Sequence, residues 1–198
     1  MILSFGQRKF RHMMQMKQKM SQLLVVDLQD KVLDPLQDKH EIIQTTSRLI
    51  RAAKALNVPI TVSEHYPKGL GHTVEPLRAV LGADAPVFEK LHFFSCVKDE
   101  ALRHRLEDNR DVGRGQVVIA GIETHVCVGQ TGLDLIVEGF EVFLVGDATG
   151  SRSPLSRDLA FARLRQAGAF IVHSEMVLFE WLEKAGTPDF KALLPLLK

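Results

Sequence analysis

Gln116-Val117-Val118-Ile119-Ala120-Gly121-Ile122-Glu123-Thr124-His125-Val126-Cys127-Val128 reads as a strand that runs through a turn into a helix. The continuous apolar run Gln116 to Ala120 lacks the polar alternation of a half-buried strand, so it reads as a strand covered on both faces. Thr124 to Glu138 follows as a helix, with Gly139 in the position of a helix stop. The same unit recurs outward in both directions. Upstream, Gln22 to Val26 is a buried strand ending at Asp27, and His40 to Leu56 carries apolar residues at helical spacing. Val58 to Val62 is a strand with Pro59 at its entrance, and Tyr66 to Gly71 is a loop. Val74 to Leu81 is a short helix, Ala85 to Phe88 a short strand leaving through Glu89-Lys90, and Lys98 to Glu107 an amphipathic helix. Downstream, strands at Glu141 to Val145 and Ala169 to Val172 alternate with helices at Leu155 to Gln166 and Ser174 to Lys184. A short helix is expected after Pro188. Strands alternating with helices predict one three-layer α/β/α domain around a mainly parallel sheet.

Composition agrees with that class. The chain has 198 residues, 45% of them apolar, and 25 Lys+Arg against 24 Asp+Glu give a formal net charge of +1. This excludes intrinsic disorder and shows no nucleic-acid footprint. No apolar run approaches the ~20 residues that span a bilayer. Residues 1–20 hold Arg8, Lys9, Arg11, Lys17 and Lys19, five methionines and no acidic residue. They are set aside as a basic, poorly ordered extension or an organelle leader, leaving 21–198 as the single domain. Two cysteines, Cys96 and Cys127, do not make a disulfide scaffold or a four-cysteine zinc site. A glycine-rich dinucleotide turn, a phosphate loop, a GxSxG elbow and an HExxH helix are all missing.

Ligands of such folds bind beyond the carboxyl ends of the strands. Three reactive residues stand there: Asp27, Lys90 and Cys127. A cysteine in the first turn of a helix meets unpaired amides and partial positive charge, which favour thiolate. Those amides also suit an oxyanion. Read alone, each residue has a plainer role as well: Cys127 as a small buried hydrophobe, Asp27 as a turn or helix cap, Lys90 as a solvated charge.

Together the motifs resemble the isochorismatase-like cysteine hydrolases. The resemblance covers Gln22 to Lys184. It rests on Val25-Val26-Asp27-Leu28-Gln29, Lys90-Leu91-His92-Phe93-Phe94-Ser95 and Gly121 to Val128, in that order. Val145-Gly146-Asp147-Ala148 and Ser151-Arg152-Ser153 add to it, and Ser63 to Gly71 is similar to the isochorismatase domain-containing subgroup. The resemblance implies a six-stranded parallel sheet and an Asp27-Lys90-Cys127 triad. It also implies a cis Ile122-Glu123 peptide and an oxyanion hole from the Glu123 and Cys127 amides. The implied reaction cleaves a small amide or ureido C–N bond through a thioester, in a homo-oligomer without a cofactor; the two cysteines fit a reducing compartment, so a cytoplasmic location is expected.

Where nicotinamidases of this family carry an Asp-x-His metal cluster, this chain reads Ser63-Glu64-His65-Tyr66, so no catalytic metal is expected. His65, Tyr66, His92, Phe93 and Ile122 are candidate pocket-lining residues. Cys96 reads as a buried structural thiol, and Trp181 as a residue for a subunit contact. Two other functions compete: an enol-ether hydrolase of the isochorismatase type, and a non-catalytic interaction protein that keeps the fold.

Overall fold

The structure is a computed structural model, and it describes residues 15–91 and 94–197. Six parallel strands form one sheet: β1 Ser21–Val26, β2 Ile60–His65, β3 Val87–Lys90, β4 Gln116–Ile122, β5 Glu141–Gly150 and β6 Phe170–Val172. Their order across the sheet is β3-β2-β1-β4-β5-β6. The α-helices are α1 Asp30–Leu33, α2 Lys39–Ala55, α3 Pro67–Leu70, α4 Glu75–Leu81, α5 Glu100–Asp111, α6 Gly129–Val137, α7 Pro154–Ala167, α8 Ser174–Leu182 and α9 Pro188–Leu193.

Strand periodicity explains the three layers. Successive side chains point to opposite faces, so Leu23 and Val25 join Val118 and Ala120 in one apolar cluster with α2, α4 and α8. Leu24 and Val26 join Val117 and Ile119 in a second cluster with α5, α6 and α7. Both faces are therefore covered, and the strand cores need no polar alternation. The expected three-layer α/β/α architecture with a six-stranded sheet is what the chain adopts, and every strand pair is parallel.

The chain starts at β1 in the sheet centre, moves outward to β3, then returns to β4 on the other side of β1. That reversal opens a crevice between the ends of β1 and β4. Gly121 sets how closely the two strands approach there. Its φ is +139°, and a Cβ on it would lie 2.1 Å from the Val26 carbonyl oxygen.

The structure differs from the sequence reading in four places. The helix expected from Thr124 begins instead as a π-helical turn, Thr124–Val128, before α6. The Val126 and Val128 amides both donate to the Glu123 carbonyl, which widens this turn. β5 runs on past Val145 to Gly150. A register shift against β4 lets Thr149 and Gly150 pair with Gly121 and Ile122, while Asp147 accepts from the Ser174 amide at 2.8 Å and starts α8. Trp181 is buried and donates from Nε1 to Ser21 Oγ at 3.0 Å, so it belongs to the core rather than to a subunit contact. Finally, residues 15–20 are seated on the domain. Met16 is fully buried, its amide donates to Glu180 Oε2 at 2.6 Å, and the Lys17 amide donates to Gln116 Oε1 at 2.7 Å.

Replacing Gly121 by alanine drives a methyl group into the β1 backbone and is expected to destabilise the domain by ~3 kcal/mol or more. Gly113→Ala is the control. It has φ +92° and nothing within 4 Å of the added carbon, so it is expected to cost only ~1–2 kcal/mol. Urea unfolding of the two variants checks the difference.

Candidate active site

β1 ends at Val26, and the next residue turns sharply. Asp27 has φ +50°, a left-handed conformation that Asp tolerates better than most side chains. Its amide donates to the Ser63 carbonyl at 3.1 Å, and its carbonyl accepts from the Gln29 amide at 2.8 Å. The carboxylate is 1% exposed. Oδ2 accepts from Lys90 Nζ at 2.6 Å, and Oδ1 accepts from Ser63 Oγ at 2.7 Å. Lys90, at the end of β3, is fully buried. Burial alone would pull its ammonium down. The Asp27 charge, with smaller contributions from Cys96 and Cys127, outweighs that, so Lys90 is held above the ordinary lysine range.

Cys127 lies in the π-helical turn beyond β4, 8% exposed, close enough to Asp27 to feel its charge. The structure corrects the expectation of an activated thiolate. Burial pushes this thiol well above its ordinary value, and Asp27 pushes it further; Lys90 only partly offsets the two. The turn's amides were expected to lower it, but desolvation and an adjacent carboxylate act at shorter range. The resting group is therefore a thiol beside a carboxylate. Such an arrangement can lose its proton in concert with attack on an electrophile. The Ile122-Glu123 peptide leading into the turn is cis.

Asp27 and Cys127 open onto a cavity of about 430 Å³. His65, Phe94, Glu123 and Arg152 line it, together with Lys31, Val32, Pro35, Leu70 and Val126. Most of these are apolar, while Lys31 and Arg152 bring positive charge. The His65 ring packs against Phe94 with centroids 5.2 Å apart. Burial and then the Lys90 charge lower the His65 pKa, so this imidazole is neutral near pH 7. Two buried side chains hold the wall that follows β2. Gln29 accepts from the His65 amide at 2.7 Å and donates to the His65 and Gly71 carbonyls at 3.0 and 2.5 Å. Glu64 accepts from the Thr73 amide at 2.6 Å and pairs with His72 at 2.8 Å. Among the described residues no group of three or more His, Cys, Asp or Glu side chains is placed to hold a metal ion.

Asp27, Lys90 and Cys127, distant in sequence, thus come together, and His65 lines the cavity. Two other candidates do not line it. Tyr66 is half exposed, and its ring lies over Gly69. Ile122 is fully buried in the cluster with Val118 and Ala120, on the opposite sheet face from Cys127. His92 and Phe93 lie outside the described residues. Cys96 is fully buried, and burial raises its thiol to about 11. The sequence reading did not single out Lys31 or the Glu123 and Arg152 side chains. Arg152 stood in the Ser151-Arg152-Ser153 stretch, while Lys31 and the Glu123 side chain had only their positions beyond the ends of β1 and β4.

Comparison with known proteins shows the family and the fold. A family model described as the isochorismatase domain matches residues 21–176. Isochorismatase family protein 1B of Dictyostelium discoideum is 34% identical over 180 residues, covering 90% of this chain and 86% of that protein. The structure of MAR1 ribonuclease from Caenorhabditis elegans is 38% identical with a TM-score of 0.85, covering 92% of each chain. YcaC from Pseudomonas aeruginosa, solved with hexane-2,5-diol and covalent acrylamide, is 27% identical with a TM-score of 0.83, covering 92% of this chain and 91% of that one. Among the described residues no helix is long and apolar enough to cross a membrane. The family match runs through all six strands and every residue of the cavity, and the chain belongs to the isochorismatase family.

Proposed function

We propose that the chain is a cysteine hydrolase that cleaves a small amide or ureido C–N bond through a thioester on Cys127. The observation that carries this reading is the buried Asp27–Lys90 pair with Cys127 beside that carboxylate on the same cavity. Folding alone has no use for this trio, since a buried ion pair is weak evidence for stability.

In the first half-reaction Asp27 takes the Cys127 proton while sulfur forms a bond to the substrate carbonyl carbon. Lys90 keeps the carboxylate oriented and balances the charge that develops. The carbonyl oxygen becomes an oxyanion held by backbone amides of the turn, those of Glu123 and Cys127. Collapse breaks the C–N bond, and the nitrogen leaves with the proton from Asp27. In the second half-reaction water attacks the thioester, Asp27 accepts a water proton, and the C–S bond breaks. The proton returns to sulfur, giving the acid and the free enzyme. A raised thiol pKa suits this order, because a base beside the nucleophile replaces a standing thiolate.

The enol-ether reading makes no use of the cysteine, so the placement of Cys127 beside Asp27 favours amide chemistry. Ribonuclease activity, which the name of one relative carries, calls for a basic track along a polyanion. Here the formal net charge is +1, and Arg152, one of two cations at the cavity, is paired with Glu123. YcaC with covalent acrylamide supports a reactive nucleophile in this fold.

Ammonia release from a panel of small primary amides and ureido compounds tests the proposal. Wild-type protein is expected to turn over at least one, Cys127→Ala none, and Asp27→Asn at a rate lower by ~10²–10⁴-fold. Turnover that survives in Cys127→Ala rejects the mechanism. Alkylation of Cys127 by iodoacetamide, followed by peptide mass spectrometry, checks the electrostatics. The wild-type rate is expected to keep rising with pH past ~8.5, where an ordinary thiol levels off. Asp27→Asn removes a negative neighbour and shifts the curve to lower pH. Lys90→Met removes the offsetting cation and shifts it higher.

A further inference from the structure

Glu123 is the first residue beyond β4, and its side chain is 4% exposed. A carboxylate that deep costs several kcal/mol unless it is paired and hydrogen-bonded. Arg152 supplies both requirements. Its Nε donates to Glu123 Oε1 and Oε2 at 3.0 and 3.2 Å, and its terminal NH2 nitrogen donates to Oε2 at 2.6 Å. The Arg152 amide adds a fourth bond, to Oε1 at 2.9 Å. Arg152 is itself mostly exposed, at 63%, so the pair sits at the cavity surface with its anionic half inside.

Two neighbouring contacts give this pair its meaning. Thr124 Oγ1 donates to the Gly150 carbonyl at 3.0 Å, and His125 Nδ1 and Ser151 Oγ are hydrogen-bonded at 3.0 Å. Three successive residues of the turn that presents Cys127 are therefore held by three successive residues leaving β5. Of the three contacts, only Glu123–Arg152 is ionic, and it alone reaches the first residue of the turn.

We infer that Arg152 is a positioning residue for the nucleophile turn, acting through Glu123 to hold Cys127 against Asp27. The inference rests on Cys127 being the nucleophile. Without Arg152, Glu123 becomes an unpaired carboxylate in a nearly dry site. It then either swings toward water and drags the turn with it, or takes up a proton and stays. The turn's geometry thereby acquires a titration that the intact pair suppresses. Other groups around Glu123 do not replace the arginine. His125 is hydrogen-bonded to Ser151 Oγ, Lys31 in α1 donates to the Gly69 carbonyl at 2.8 Å, Lys90 is committed to Asp27, and His65 is held neutral by burial and the Lys90 charge.

The test measures labelling of Cys127 by acrylamide across pH 5–9, with Cys96 as the internal control and thermal unfolding followed through Trp181. Arg152→Met is expected to label at least tenfold more slowly than wild type at pH 8. The deficit shrinks as pH falls and Glu123 takes up its proton. Glu123→Gln/Arg152→Met removes the charge and is expected to regain most of the rate, with a ratio to wild type that no longer varies with pH. Arg152→Lys keeps the charge without the fork and falls in between, and it carries the test if Arg152→Met does not fold.

A merely structural loss lowers all rates equally at every pH and is not rescued by Glu123→Gln. Either that pattern, or Arg152→Met and Arg152→Lys labelling like wild type, overturns the inference while leaving the cysteine reading in place. Wild-type Cys127 that labels no faster than Cys96 overturns both.

Discussion

A lysine and an aspartate, both nearly without solvent, meet at 2.6 Å beneath the cavity. Removing either partner would leave an uncompensated charge in the interior, at a cost of ~3–5 kcal/mol. That constraint organises the centre of the molecule. β1, β2 and β3 must lie side by side so that Asp27, Ser63 and Lys90 share one hydrogen-bonded group. Asp27 must take its left-handed turn to present the carboxylate. β4 must approach β1 closely enough to bring Cys127 to the same cavity as Asp27, which only a glycine at 121 allows. The ion pair fixes where the charge sits, and the sheet topology fixes what can reach it.

The electrostatics of the cavity follow from burial more than from net charge. Lys90, Glu123, His65 and Cys127 are each desolvated, and the direction of each shift depends on whether a partner compensates. Lys90 and Glu123 have such partners and are held in their charged forms. His65 has a cation for a neighbour and is held neutral. Cys127 faces a carboxylate and is held protonated. One neutral thiol and one neutral imidazole thus stand among fixed ion pairs.

Much of the fold was legible because two periodicities carry it. Continuous apolar runs marked strands covered on both faces, and helical spacing marked the elements between them. Strand ends were harder. Gly146-Asp147 reads as a stop, yet β5 passes through it by a register shift that only pairing with β4 reveals. The π-helical turn has no spacing signal either, since it arises from two amides sharing the Glu123 carbonyl. Ile122 was misplaced for a reason the sequence already contained. Alternation puts it with Val118 and Ala120, away from Cys127. The thiol was misread because a helix-terminus argument counts amides and omits desolvation. Glu123 and Arg152 lie 29 residues apart, and nothing in a single sequence says that two such charges meet.

The central position of β1 has a consequence for how the chain reaches this state. β1 gains its first neighbour, β2, soon after it is made. Its other neighbour lies much later in the chain, with Ser21 and Gln116 separated by 95 positions. Until then one backbone edge of a fully buried strand stays open, and the loop that must close is long. During synthesis the first half of the protein is therefore a sheet fragment with an exposed edge, the kind of species that pairs with other chains. Production of this protein should be most vulnerable in that interval, before β4 is available to seal the sheet.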